Sequence, residues 1–143
     1  MIAIRPCASE DFLQVLVLLE QLWPDKTLDA EALSGVYSRG LASGLQHYLC
    51  AVEGEKIVGF CSLSIKNNLW QAGYLAHIDE LVVGKEKRGR GIGSALLNAI
   101  IQIAAEAGCS SVELDSAFHR SEAHRFYQKH GFENRAYLFS KSL

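Results

Sequence analysis

Proline is nearly absent from this sequence. It occurs only as Pro6 and Pro24, so helices and strands can run uninterrupted from residue 25 onward. Long apolar runs are missing too. None approaches the ~20 residues that cross a bilayer, and the opening MIAIRPCASEDF lacks the basic-then-apolar layout of a signal peptide. A soluble cytoplasmic protein without membrane contact is expected. There is no excess of positive charge: 14 Lys and Arg face 16 Asp and Glu, for a net −2. That balance disfavours a nucleic-acid partner. The four cysteines, Cys7, Cys50, Cys61 and Cys109, form no Cys-x-x-Cys pair and fit no zinc spacing. They are expected as buried free thiols. Among the five histidines, His119 and His124 straddle a helix start five residues apart, so no metal is expected.

What is present fits one domain over residues 1–143, with 49% apolar and 21% charged residues. Ile2 to Arg5 is β-prone. Ser9 offers an N-cap, Glu10 and Asp11 suit a first helical turn, and Phe12, Leu16, Leu19 and Trp23 recur at helical spacing up to Pro24. Leu28 to Leu41 reads as a second helix. Tyr48–Val52 and Ile57–Ile65 read as a hairpin around Gly54, with a loop at Asn67 and Asn68, and Tyr74–Val83 as a further strand. Ile92 to Ala107 is the strongest helix, stopped by Gly108. A strand at Ser111–Leu114, a helix at Ser121–His130 and a last strand at Ala136–Phe139 complete the order. The fold class is α/β: a single mixed, mostly antiparallel sheet flanked by helices.

The most informative segment runs from Val82 to Ser94, where a strand turns into the strongest helix. Gly89, Gly91 and Gly93 permit close backbone approach, and the helix start offers unpaired N–H groups. Lys85, Lys87, Arg88 and Arg90 gather positive charge there against Glu86 alone. A phosphate or pyrophosphate is the natural guest. The P-loop pattern fails because no Gly-Lys-Ser/Thr closes the turn. A dinucleotide fingerprint fails at Ser94, and it arrives too late in the chain for several parallel units to follow. Arg88-x-x-Gly91-x-Gly93 remains.

This turn resembles that of the GNAT family of N-acetyltransferases. Ala123-His124-Arg125-Phe126-Tyr127-Gln128-Lys129-His130-Gly131-Phe132 is similar to the family's second motif, and His77–Val83 to its central strand. Arg120, where many members have Asn, and the Phe139-x-Lys141-x-Leu143 ending resemble aminoalkylphosphonate N-acetyltransferases in particular. The resemblance implies acetyl-CoA as co-substrate, its pyrophosphate on Arg88, Gly89, Arg90, Gly91, Ile92, Gly93 and Ser94. It places Leu81, Val82 and Val83 along the pantetheine, with Asp115, Ser116, Arg120, Ala123 and Phe126 bordering the cofactor. It also implies a homodimer.

Direct acetyl transfer to an amine needs a base for the ammonium and an acid for the leaving thiolate. Glu80 is the first candidate base and Asp79 the second. Strand alternation sends them to opposite faces unless a bulge re-aims them. Tyr127 is the candidate acid, since a phenol near pKa 10 can protonate a thiolate whose thiol is near 8.5. His77 shares a strand face with Asp79. Trp23, Tyr37 and Trp70 lie where the family builds its acceptor pocket. The expected acceptor is the primary amine of a small molecule, an aminoalkylphosphonate, with an aminoglycoside or polyamine as alternatives. A non-catalytic acyl-CoA-binding module is the rival class.

Overall fold

Ile2–Pro6 (β1) pairs antiparallel with Gln46–Glu53 (β2), although two helices, Phe12–Leu22 (α1) and Ala30–Ala42 (α2), intervene. β2 pairs antiparallel with Lys56–Asn68 (β3), and β3 with Gly73–Val83 (β4). Ile92–Glu106 (α3) then leads to Cys109–Leu114 (β5), which completes a five-stranded sheet in the order β1-β2-β3-β4-β5. Ser110, at the start of β5, donates to the carbonyl of Tyr74, at the start of β4, at 3.3 Å. Start lies beside start, so these strands run the same way and the sheet is mixed. The last helix is Ser121–Lys129 (α4). This computed structural model describes residues 1–143, which divide into two compact units, 1–113 and 114–143.

In the first unit each sheet face carries its own core. On one face α1 contributes Val15, Leu18 and Leu19 to a cluster with Cys50, Ile57, Phe60 and Val82. On the other, Ile92, Leu96, Leu97, Ile100 and Ala104 of α3 are buried at helical spacing. Burying one such leucine or isoleucine stabilises by about 1.5–3 kcal/mol.

Several expected boundaries shift. Ser9 is not the cap of α1. It lies in a short 3₁₀ turn, Ser9–Asp11, where Asp11 accepts from the Ala8 N–H at 2.7 Å and from Arg5 at 2.7 and 3.0 Å. A charge-assisted pair outcompetes a lone hydroxyl, and Arg5 holds the Asp11 carboxyl below the usual carboxylate range. Asn67 and Asn68 extend β3 instead of forming a loop, because Tyr74 and Gly73 pair with them. The strand expected at Ala136–Phe139 is absent: residues 132–143 carry no helix or strand. Alternating residues do not make a strand without a ladder partner for the backbone. Cys7, Cys50 and Cys61 are buried free thiols as expected, and Cys109 is half-buried.

Gly40 of α2 packs against Tyr48, whose ring stacks on Tyr37 at 5.4 Å and meets Phe60 edge-on at 5.7 Å. A Cβ at Gly40 would lie 2.0 Å from the Tyr48 hydroxyl and 2.4 Å from its Cζ. Helix propensity favours alanine by roughly 1 kcal/mol, but the ring is held on both sides and cannot yield. Gly40→Ala is therefore expected to lower stability by about 1–3 kcal/mol, read as a lower denaturation midpoint. A raised midpoint would contradict this packing.

Candidate active site

Polar residues gather at one end of the sheet face that α1 covers. Cross-strand partners point to the same side, so the register lays out rows. Cys50, Phe60 and Val82 make an apolar row beneath α1. The next row is Tyr48, Ser62 and Glu80, and the one after it Gln46, Ser64 and His77. The face thus turns from apolar to polar within two residues of each strand.

The placement of the two acids depends on one irregularity. Glu80 pairs with Ser62, but Ile78 pairs with Leu63, leaving Asp79 as an extra residue in β4. This is a β-bulge. Plain alternation would aim Asp79 at the α3 side. Instead Ser64 Oγ donates to Asp79 Oδ1 at 3.1 Å, and Ser62 Oγ donates to Glu80 Oε1. Ser62 and Ser64 are two residues apart on one strand, so both carboxylates reach one face. His77 Nδ1 also lies 2.8 Å from Asp79 Oδ1.

Glu80 is half-buried and Asp79 exposed. Burial pushes the Glu80 carboxyl above the usual carboxylate range; the Ser62 hydrogen bond opposes the rise, the charge of Asp79 adds to it and His77 opposes it. The same surroundings raise the Tyr48 phenol, chiefly by burial and then by the charges of Glu80 and Asp79. A carboxylate poised above its ordinary range accepts a proton more readily at neutral pH.

The glycine-rich turn is built as the sequence indicates, with one electrostatic difference. Gly89 and Gly91 have φ of 77° and 81°, in the left-handed region. A Cβ at either would meet nothing within 4 Å, so the backbone there faces open space. Gly91 caps α3 without any side-chain hydrogen bond, and the first-turn N–H groups are left for an anion. The expected concentration of free positive charge is halved, however. Glu53, at the end of β2, binds Lys87 at 2.8 Å and Arg90 at 2.9 Å, and these cations, Lys87 first, hold its carboxyl down at about 2. Arg88 Nε donates to the Val83 carbonyl at 3.1 Å, fixing the side chain along the strand end. Lys85 and Arg88 are left without an ion pair.

The second unit carries the other candidates. On α4, Phe126 and Tyr127 meet edge-on at 5.4 Å, Tyr127 meets Phe132 at 5.8 Å, and all three are half-buried. Ser116 Oγ is buried with no hydrogen-bond partner, as a group that a ligand completes would be. Asp115 is exposed, and Arg120 and Ala123 are half-buried around the start of α4. In the first unit, the open glycine turn and the uncapped start of α3 have the donor geometry that suits a phosphate.

Of the aromatics expected at an acceptor pocket, Tyr37 is core: it is 6% exposed and donates to the Ala8 carbonyl at 2.6 Å. Trp23 packs against the α1 core and Trp70 is fully exposed in the β3–β4 turn. Sequence reading missed Tyr48, Ser62, Ser64 and Glu53. Ser62 and Ser64 had a signal, being small polar residues at alternate positions within the apolar run Phe60–Ile65. Glu53 had none.

The acetyltransferase (GNAT) family matches residues 10–132. An aminoalkylphosphonate N-acetyltransferase from Salmonella typhimurium is 33% identical over 140 residues, covering 98% of this chain and 90% of that protein. A glucosamine 6-phosphate N-acetyltransferase from Trypanosoma brucei brucei is 30% identical over 131 residues, covering 90% and 87%. Among solved structures, an aminoglycoside N-acetyltransferase in complex with CoA has a TM-score of 0.86 at 20% identity, covering 100% of this chain and 96% of that one, a likeness of fold. The chain belongs to the GNAT acetyltransferase family and is an N-acetyltransferase with acetyl-CoA as its co-substrate.

Proposed function

We propose that this enzyme acetylates the primary amine of an aminoalkylphosphonate, with Glu80 as base and Tyr127 as acid. The observation that carries the amine chemistry is the bulge, which brings Asp79 and Glu80 to one face beside Ser62, Ser64 and His77. Two carboxylates on one surface attract an ammonium group, and the less solvated one is suited to take its proton. The likeness to the Salmonella enzyme supports the phosphonate.

In this reading Asp79 holds the incoming ammonium and Glu80 removes one proton from it, directly or through water. The amine nitrogen bonds to the thioester carbonyl carbon, the carbon–sulfur bond breaks as Tyr127 protonates the departing thiolate, and the second proton shed by the nitrogen returns through water to the Tyr127 phenolate. Acetyl-CoA supplies the activated acyl group. Backbone N–H groups of Leu81, Val82 and Val83 line the thioester arm, and those of Gly89, Gly91, Ile92, Gly93 and Ser94 hold its pyrophosphate with Arg88 and Arg90. Asp115, Ser116, Arg120, Ala123 and Phe126 border the coenzyme. We read residues 1–143 as one catalytic domain, in keeping with a family match that runs from residue 10 to residue 132. We read the enzyme as a cytoplasmic homodimer; the exposed Tyr137, Leu138, Phe139 and Leu143 support the second copy.

An amine panel with a free-thiol readout tests the substrate. The aminoalkylphosphonate is expected to give the highest kcat/KM, above an aminoglycoside, a polyamine and an amino-sugar phosphate. A higher value for any of those three would reassign the acceptor. Gly91→Val places a β-branched residue at a left-handed φ and its side chain over the open backbone. Calorimetry with CoA is expected to show at least a tenfold weaker affinity with an unchanged far-ultraviolet circular dichroism spectrum; wild-type affinity would mean the turn does not hold the pyrophosphate.

A further inference from the structure

Ser62 is 0% exposed in a strand whose neighbours Phe60, Cys61 and Leu63 are buried and apolar. A hydroxyl in such a place costs stability unless it is hydrogen-bonded. Here it bonds twice to a single residue. It accepts the Glu80 backbone N–H at 2.9 Å and donates to Glu80 Oε1. The first bond gives the N–H at the bulge an acceptor where the carbonyl ladder is disrupted. The second fixes the direction of the carboxylate. Glu80 Oε2 has no protein hydrogen bond.

We infer that Ser62 is a positioning residue for the acetyl transfer, holding Glu80 by its backbone N–H and Oε1 so that Oε2 is presented to the acceptor amine. This inference rests on the reading of Glu80 as the base. The balance is simple. Glu80, ionised, takes one ammonium proton on Oε2, becomes a neutral acid and passes that proton to water, while Ser62 keeps its own proton throughout. A donor to a carboxylate favours its charged form. Ser62 therefore opposes the upward push that burial puts on the Glu80 carboxyl. The other groups that act on this carboxylate are Asp79 and His77 of β4, and its charge is felt by the Tyr48 phenol of β2 and the Cys61 thiol of β3. None of them spans both the N–H and the carboxylate of Glu80.

The test compares Ser62→Ala, Ser62→Cys, Ser62→Thr, Glu80→Gln and the double variant Ser62→Ala/Glu80→Gln, with kcat/KM followed against pH. Ser62→Ala is expected to move the acid limb up by about one pH unit, a tenfold loss on the acid side, with KM for acetyl-CoA unchanged. Ser62→Cys keeps the volume with a weak donor and is expected to move the limb the same way, so the experiment survives a poorly folding alanine variant. Ser62→Thr retains the hydroxyl and is expected to restore the wild-type limb. In the Glu80→Gln background, Ser62→Ala is expected to cost nothing further. An unmoved limb in both Ser62→Ala and Ser62→Cys, or a loss that multiplies in the double variant, overturns the positioning role. A limb that persists in Glu80→Gln overturns the reading of Glu80 as base instead, so the two failures are told apart.

Discussion

A single extra residue in β4 governs how the two acids of that strand are arranged. A regular strand would send Asp79 and Glu80 to opposite faces, one into the α3 core and one toward α1. The bulge at Asp79 puts both on the α1 side, and β3 answers with a serine for each: Ser64 to Asp79 and Ser62 to Glu80. The apolar end of the same face is filled by α1 residues on Phe60 and Val82, which anchors the strands that present the acids. The site is a polar extension of the core, and the core's rigidity becomes the site's geometry.

The glycine turn shows the complementary arrangement, in which backbone donors are exposed and two of the cationic side chains are held by an acid. Left-handed glycines and an uncapped helix start expose N–H groups whose charge is partial and fixed. Glu53 ties down Lys87 and Arg90, so the turn is shaped before any anion arrives, and preorganised donors spend little on reordering. The cationic character seen in residues 85–90 is partly internal cement. Lys85 and Arg88 stand outside that pairing.

Element order and the turn were legible from sequence because both leave periodic or compositional traces. Apolar residues of α3 recur at helical spacing, and glycine marks left-handed positions because other residues avoid them. The bulge leaves a fainter trace. On the α3 side of β4 the apolar series runs Ala76, Ile78 and then Leu81, a step of three where a regular strand steps by two. Glu53 illustrates what sequence does not carry: it lies 34 residues before Lys87, and only the sheet brings the two together. The C-terminal run misled for the opposite reason. Tyr137 and Phe139 alternate as strand residues do, but a strand exists only by pairing, and this chain alone gives that run no partner.

Burial and the charge of Asp79 raise the Glu80 carboxyl, on the face made by the bulge, and the base role proposed for Glu80 depends on that rise. The most direct measurement is a carbon-13 NMR titration of the glutamate carboxyls, with the Glu80 signal assigned by its loss in Glu80→Gln. This carboxyl is expected to titrate clearly above the ordinary glutamate value of about 4.3. Titration at or below that value would contradict it.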